Sequence, residues 1–195
     1  MSQNMNAYYY RAIFGKTQLT QADLVTFDVG ESNRPPADLA STQLAYHDFS
    51  ADTAATAEQS WDGPSYRVDA RHVYSPGYMG LLTTIGAQPN ESWILVRLLA
   101  FFPEKEWDFG RAQGVAIDFQ RGNKSYAWKS VRLMNKVGEI STLWGGSAGV
   151  WGKVEFALKV PRDAQPTDEL RVYVHNGNAD KPVYIDNLEV RHLHP

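Results

Sequence analysis

The sequence contains no cysteine, so it can form neither a disulfide bond nor a thiolate metal site. It has no run of about 18 apolar residues, the length that a membrane-spanning helix needs. The net charge is -3, whereas a nucleic-acid-binding surface is usually strongly basic, so a nucleic acid is not an expected partner. The opening residues, MSQNMNAYYYRAIFGK, lack the cationic and then apolar order of a signal peptide. We therefore expect either a cytoplasmic protein or a mature domain from which a leader has been removed.

Aromatic residues are abundant in the chain. It has 195 residues, enough for one domain of ordinary size that buries its own core. Six tryptophans and ten tyrosines are many for this length. Such residues fill the cores of β-sandwiches, and they also stack on the faces of sugar rings, so composition alone does not separate the two uses.

The end of the chain, residues 170–190, contains two short runs of alternating apolar and polar residues. The tripeptide Asn176-Gly177-Asn178 lies between them and is typical of a tight turn. Period-two alternation around an Asn-Gly turn predicts a β-hairpin. Its core-facing side chains are predicted to be Val172, Val174, Val183 and Ile185.

Three further segments predict strands. Residues 93–102 (WILVRLLAFF) are apolar on both faces, which fits a central strand or a buried helix, and Pro103 favours the strand. Residues 114–120 and 124–133, on either side of Arg121-Gly122-Asn123, predict a second hairpin. Residues 153–160 alternate strictly, with Val154, Phe156, Leu158 and Val160 inward.

The rest of the chain completes an all-β prediction. Residues 44–50, 65–74 and 79–85 predict strands, and residues 51–59 a loop. About nine strands at regular spacing, without a convincing long helix, predict a β-sandwich of the jelly-roll type over residues 44–195. Residues 1–43 include Pro35-Pro36 and candidate strands at 8–14 and 24–29, and we expect them to form an N-terminal extension or linker.

Four phrases in order along the chain resemble the jelly-roll carbohydrate-binding modules and, more loosely, the galactose-binding-like sandwiches. They are Asp48-Phe49-Ser50, Val73-Tyr74-Ser75-Pro76, Trp151 followed by an alternating strand and Pro161, and Tyr184-Ile185-Asp186-Asn187. The resemblance covers residues 44–190. It implies a non-catalytic domain with a polysaccharide or oligosaccharide partner and an extracellular or periplasmic location. Fold alone does not identify a ligand, because the same scaffold also occurs in domains that bind none.

The resemblance also implies a structural calcium ion, with Asp48 and Asp186 as the candidate ligands. Members of the family often place a glutamate where this chain has Ser50, and a serine cannot supply that carboxylate. Calcium prefers six to eight oxygen ligands, so backbone carbonyls would have to complete the site. Alternatively, Asp186 accepts hydrogen bonds from backbone N–H groups at the edge of the sandwich.

A sugar-binding face is predicted where aromatic and hydrogen-bonding side chains share the face of a strand that is turned away from the core. A pyranose ring offers a C–H face to an aromatic ring, and arginine pairs also favour acidic sugars such as uronates. The prediction requires three strands to be neighbours. The predicted ligand residues are Trp93 and Arg97 on the first strand, Tyr126, Trp128 and Arg132 on the second, and Arg171, Tyr173 and His175 on the third.

Two alternatives concern these aromatic residues. Trp93 and Trp128 could be core residues, or the N-terminal extension could cover the face. A second ligand site could involve the tryptophans in or near loops, which are Trp61, Trp107, Trp144 and Trp151.

Catalytic motifs are missing from the sequence. It has no Gly-x-Ser-x-Gly, Walker or His-Glu-x-x-His motif, and it lacks the two strand phrases of jelly-roll polysaccharide lyases. We therefore do not expect an enzyme. The competing prediction is a structural jelly-roll domain of a bacterial envelope protein that binds protein instead of sugar. An exposed aromatic and arginine face favours the first function, whereas a face covered by residues 8–29 favours the second.

Overall fold

The computed structural model describes residues 35–52, 55–104, 111–133, 149 and 151–195. In these residues, the strands form two sheets whose strand pairs are antiparallel. The prediction of an all-β sandwich is therefore confirmed. The candidate strands at 8–14 and 24–29, and the loop residues Trp107 and Trp144, lie outside the described residues.

Ten strands and one short helix make up the described chain. They are β1 (Ala40–His47), β2 (Ala55–Ser60), β3 (Pro64–Val68), β4 (Tyr78–Leu81), α1 (Leu82–Ile85), β5 (Trp93–Phe101), β6 (Gly114–Arg121), β7 (Lys124–Arg132), β8 (Trp151–Lys159), β9 (Glu169–His175) and β10 (Val183–His194). The large sheet has the strand order β2-β3-β10-β5-β8, and β1 also pairs with β10. The small sheet has the strand order β4-β9-β6-β7.

Strand β10 is the central strand of the large sheet. It pairs with β5 along one edge, and with β3 and then β1 along the other. A bulge between Asp186 and Glu189, with Asn187 at φ 50°, lets the strand change partners. Because β1 pairs with β10 from Ala40 onward, residues 40–43 belong to the large sheet, although the sequence assigned them to the extension.

The core lies between the inner faces of the two sheets. It includes the central residues of β5 and β6, such as Val96 and Ile117, which are fully buried. The predicted core residues of β9 and β10 are likewise buried in it: Val172, Val174, Val183 and Ile185. Period-two alternation therefore identified the inner faces correctly.

The predicted hairpin of β9 and β10 is wrong, because the two strands lie in different sheets. The turn between them is fixed to other parts of the chain. The backbone N–H of Asn176 donates to the carbonyl of Val73 at 2.9 Å, and Gly177 lies so close to the Ala112 carbonyl that a Cβ would overlap it. Residues 176–182 thus cross from one sheet to the other, and the two apolar faces meet across the core.

The second predicted hairpin is confirmed, since β6 pairs with β7 directly. Gly122 and Asn123 have φ values of 55° and 62°, the pair of positive angles that a type I′ turn requires. Strand β5 is also confirmed; it lies between β10 and β8, and burial on both faces explains its continuous apolar sequence.

Three boundaries differ from the prediction. Residues 79–85 are not one strand, because β4 ends at Leu81 and α1 follows, closed by Gly86 at φ 67°. The predicted loop at 51–59 contains most of β2. The strand predicted to reach residue 74 ends at Val68, since the Asp69 carboxylate accepts the backbone N–H groups of Arg71 and His72 at 2.8 and 2.9 Å and forms a turn.

No helix in the described part of the chain is long and apolar enough to cross a membrane.

A buried carboxylate ties the β6–β7 hairpin to the loop before β9. Asp168 has 0% exposure. It accepts two hydrogen bonds of 2.9 Å from the Arg121 guanidinium, one of 2.8 Å from the Tyr126 hydroxyl and one of 2.8 Å from the Gln165 backbone N–H. The Arg121 hydrogen bonds are the largest cause of a lowered Asp168 pKa of about 2, which burial opposes.

We predict that Asp168→Ala lowers the free energy of unfolding by about 3 kcal/mol at pH 7, because it leaves these donors without their buried acceptor. The native pKa lies below the value of about 3.9 in the unfolded chain, so this stabilisation is present above about pH 4 and is lost as the pH falls toward 2. Urea denaturation at pH 7 and pH 3 measures both effects. Asp163→Ala, in the same loop but exposed, is the matched control with a change below about 0.5 kcal/mol. Equal effects of the two substitutions would contradict the prediction.

Candidate ligand-binding face

The outer face of the small sheet brings together five of the predicted ligand residues. Arg171, Tyr173 and His175 alternate along β9 with the buried valines, so they point away from the core. Strand register places Trp128 and Arg132 of β7 on the same side, two strands away. We call this surface, with Tyr74 beside it, the aromatic face.

Strand β6 lies between β7 and β9 in the aromatic face, and its outward-facing residues there, Gly114 and Ala116, are small; they form the low floor of the face. Ala116 lies opposite Tyr173 on one side and Ser130 on the other, and Gly114 lies opposite His175. A Cβ at Gly114 would overlap the Ser130 hydroxyl and His175 Nε2, so a larger residue here would displace these two side chains. The low floor lets the larger side chains of β7 and β9 approach each other across β6.

The aromatic side chains contact one another in sequence across the face. The Tyr74 ring meets the Tyr173 ring edge-on at 5.5 Å between centroids, and Tyr173 meets His175 at 6.3 Å. The Trp128 ring lies 6.1 Å from the His175 ring between centroids. Trp128 is 53% exposed and Tyr74 is 63% exposed, so the rings at both ends are open to solvent.

Polar groups lie between the rings. The buried Asp118 carboxylate accepts a hydrogen bond of 2.6 Å from the Ser125 hydroxyl and one of 2.5 Å from the Gln120 amide. Arg171 lies opposite Asp118 in the register and pairs with Glu169. The face therefore offers donors and acceptors whose charges are largely balanced.

Burial determines the protonation of two side chains at the centre of the aromatic face. It raises the pKa of Tyr173, so the phenol stays protonated at neutral pH. Burial also lowers the pKa of His175, so the imidazole is neutral at pH 7. Its Nε2 forms a 2.8 Å hydrogen bond with the Ser130 hydroxyl. Both side chains are thus neutral at pH 7.

A cleft of about 510 Å³ opens at the β4 side of the aromatic face. Aromatic rings and the long side chains of β4, β6 and β9 line it, chiefly Tyr74, Tyr78, Met79, Gln120, Arg171 and Tyr173. An apolar wall with a few polar groups is the usual character of a small-ligand site. Sequence reasoning did not include Tyr74 among the ligand residues, because it placed this tyrosine at the end of a strand over residues 65–74; an isolated bridge to His175 places it here.

Trp93 and Arg97 are not part of the aromatic face, since β5 belongs to the large sheet. Trp93 is only 5% exposed and packs with Leu95 and Leu193 on the outer side of that sheet. Arg97 forms an ion pair of 2.6 Å with Glu155 of β8. A strand apolar on both faces gave no signal of which sheet it would join.

Tyr126 also lies away from the aromatic face, although it precedes Trp128 by two positions. The register between β6 and β7 shifts between Phe119 and Gln120, which breaks the alternation on β7. Tyr126 consequently packs against the core and donates to Asp168, with the Arg121 guanidinium 4.6 Å from its ring centre.

The two candidate calcium ligands lie near each other. The Asp48 carboxylate accepts hydrogen bonds from the Ser50 N–H at 3.1 Å and hydroxyl at 2.8 Å. The buried Asp186 carboxylate accepts the backbone N–H of Asn187 at 2.7 Å. Burial, then the negative charges of Asp48 and Asp62, raise the pKa of Asp186. In the described ranges, no group of three or more His, Asp or Glu residues is arranged to hold a metal ion.

Comparison with known proteins gives structural similarity only. No family model matches the chain, and no curated protein matches it significantly. The CBM22-1 xylan-binding domain of Paenibacillus barcinonensis Xyn10C is similar over 80% of this chain and 97% of that domain, with 16% identity and a TM-score of 0.49. That domain is a carbohydrate-binding module, the class of domain that the four sequence phrases resemble.

Two other solved structures are similar at a comparable level. The CBM22-1–GH10 modules of Clostridium thermocellum Xyn10B, complexed with xylohexaose, share 12% identity and a TM-score of 0.42 over 78% of this chain and 28% of that one. The infectious bursal disease virus VP2 subviral particle shares 12% identity and a TM-score of 0.40 over 80% of this chain and 32% of that one.

We predict that Trp128→Ala lowers the free energy of unfolding by less than about 1 kcal/mol, because the side chain is half exposed and covers no core. Trp93→Ala is the matched comparison, since it removes the same side chain from a buried position and costs about 3 to 5 kcal/mol. Urea denaturation of both variants tests the difference. A large loss for Trp128→Ala would place that tryptophan in the core instead.

Proposed function

We propose that the domain binds a polysaccharide on the aromatic face and that it acts as a non-catalytic binding module. The observation that supports this most is the exposure of Trp128 and Tyr74 at the two ends of a continuous row of rings. Exposed aromatic rings in mutual contact would not be expected on a sheet surface whose only role is to keep the domain soluble.

The chemistry of the face suits a sugar chain that runs across the strands. Exposed rings stack on the C–H faces of successive pyranose units, and the row Tyr74–Tyr173–His175–Trp128 crosses from the edge of β4 to β7. Arg171, Gln120 and the neutral His175 supply hydrogen bonds to hydroxyl groups. The ion pair of Arg171 with Glu169 balances its charge, which favours a neutral polysaccharide over a uronate.

If the domain instead had the alternative function, that of a structural domain that binds protein, another part of the chain would be expected to cover the aromatic face. The exposure of Trp128 and Tyr74 supports sugar binding instead. An extracellular or periplasmic location, where polysaccharides are available, is part of the same proposal.

A panel of soluble xylan, mixed-linkage β-glucan, galactan and polygalacturonate tests the function by affinity electrophoresis. We expect retardation by one neutral polysaccharide. Trp128→Ala and Tyr173→Ala should each weaken it by at least about 30-fold, equivalent to about 2 kcal/mol, as expected for central contacts of a binding site.

The matched control for this experiment is Tyr46→Ala, which removes an exposed ring from the large sheet. It should bind like the unmodified protein. If no member of the panel binds, or if all three variants behave alike, the aromatic face is not a sugar-binding site.

A structural calcium ion at Asp48 and Asp186 stays a prediction from the sequence resemblance, and we propose to test it by thermal unfolding. Calcium would relieve the repulsion among Asp48, Asp62 and Asp186, and saturation at 100 times its dissociation constant would stabilise the fold by about 2.7 kcal/mol. Asp186→Asn should abolish this gain and, since the raised pKa shows the charge to be unfavourable, should not destabilise the protein in EDTA. The exposed Asp180→Asn is the control. Equal melting temperatures of the unmodified protein in calcium and EDTA would contradict the prediction.

A further inference from the structure

A second group of aromatic side chains lies on the opposite surface of the sandwich, at one end of the large sheet. Phe101, Trp151 and Tyr184 are neighbours in register on β5, β8 and β10, and their rings lie 5.5 and 6.4 Å apart between centroids. Trp61, in the turn between β2 and β3, contacts Trp151 with its ring at 6.4 Å and 65°. We call these four residues the Trp61 cluster.

The turn that holds Trp61 is fixed in place. The Ser60 hydroxyl donates to the carbonyl of Gly63 at 2.7 Å and accepts its backbone N–H at 3.2 Å. These two bonds close the turn, and the edge-to-face contact with Trp151 positions the Trp61 ring.

Trp61 is 56% exposed, whereas Phe101 and Tyr184 beneath it are buried. An edge-to-face contact with Trp151 occupies at most one face of the Trp61 indole. At least one face of this ring is therefore free of Trp151 and available for stacking. The three rings behind it supply rigidity rather than additional exposed surface.

Hydrogen-bond acceptors lie next to members of the cluster. Glu58 accepts from the Tyr184 hydroxyl and from the Arg67 guanidinium at 3.0 Å, and its side chain is exposed. Asp62, next to Trp61, is exposed as well. Carboxylates accept hydrogen bonds from hydroxyl groups and repel acidic groups, so a neutral sugar suits this surface better than a uronate does.

We propose that the Trp61 cluster is a second binding site for a neutral pyranose ring and that the domain links two polysaccharide chains. The outer face of the large sheet and that of the small sheet are turned away from each other, with the core between them. One chain on each face gives a bivalent cross-link. The linking function depends on the proposed function of the aromatic face, whereas sugar binding at Trp61 does not.

The extent of the exposed surface favours a sugar over a protein partner. A stable protein interface buries about 800 Å² on each partner, with several anchoring side chains. The cluster has one large ring that is exposed, because Phe101 and Tyr184 are buried against the sheet and Trp151 is half-buried. A single supported indole with acceptors beside it matches the size of one sugar ring.

Two measurements test the proposal with the polysaccharide that the panel selects. Isothermal titration with its hexasaccharide, xylohexaose if xylan is selected, counts the sites. Turbidity of the soluble polysaccharide on addition of protein reports cross-linking. The variants are Trp61→Ala, Trp128→Ala and the double variant, and Trp61→Tyr is the matched control because it keeps a ring in the same turn.

We expect two hexasaccharides per molecule and turbidity for the unmodified protein and for Trp61→Tyr. Each single alanine variant should bind one hexasaccharide and give no turbidity, and the double variant should bind none. One site in the unmodified protein, with Trp61→Ala indistinguishable from it, would overturn the Trp61 site and leave the aromatic face intact. Loss of binding in Trp61→Ala with full binding in Trp128→Ala would instead overturn the aromatic face. Absence of all binding to the panel would overturn both.

Discussion

Burial of two apolar faces against each other is the constraint on which the rest of this structure depends. Each strand of the small sheet must point alternate side chains into the core, so the intervening ones must point outward. On β9 the valines at 172 and 174 occupy the inner positions. Arg171, Tyr173 and His175 are thereby fixed on the outer surface in a row whose spacing is that of the strand. The aromatic face is thus a consequence of how the core is packed.

The aromatic face also depends on the small size of the outward side chains of β6. This strand is fully buried along most of its length, and its outward positions hold Gly114, Ala116 and Asp118. Small side chains in the middle strand let the Trp128 ring on β7 come within 6.1 Å of the His175 ring on β9. The larger Asp118 side chain accepts hydrogen bonds from Ser125 and Gln120, which keep it close to the sheet. A bulky residue in this strand would separate the rings that the proposed function needs together.

The outer surfaces of the two sheets differ in how their aromatic residues are used. On the large sheet, Trp93 is buried with leucines, and Phe101 and Tyr184 are buried beside Trp151. Among the described residues there, Trp61 in its turn and Tyr46 on β1 expose their rings. On the small sheet, by contrast, the rings that contact one another include Trp128 and Tyr74, which are exposed at both ends. The continuous row of exposed rings therefore lies on the small sheet.

The alternation of apolar and polar residues in the sequence was sufficient to predict most of the strands and the fold class. It also predicted the inner residues of β9 and β10 and the outward position of Trp128, Tyr173 and His175. These follow from local alternation and from the positive φ angles that a turn such as Gly122-Asn123 requires. Tertiary structure decided which strands are neighbours. The Asn176-Gly177 turn has local hairpin chemistry, but its hydrogen bond to Val73 directs the chain to the other sheet. A register shift turned Tyr126 toward Asp168, and the pairing of β5 with β10 placed Trp93 on the opposite surface. Alternation specifies the face of each residue, whereas strand partners depend on contacts between residues far apart in the chain.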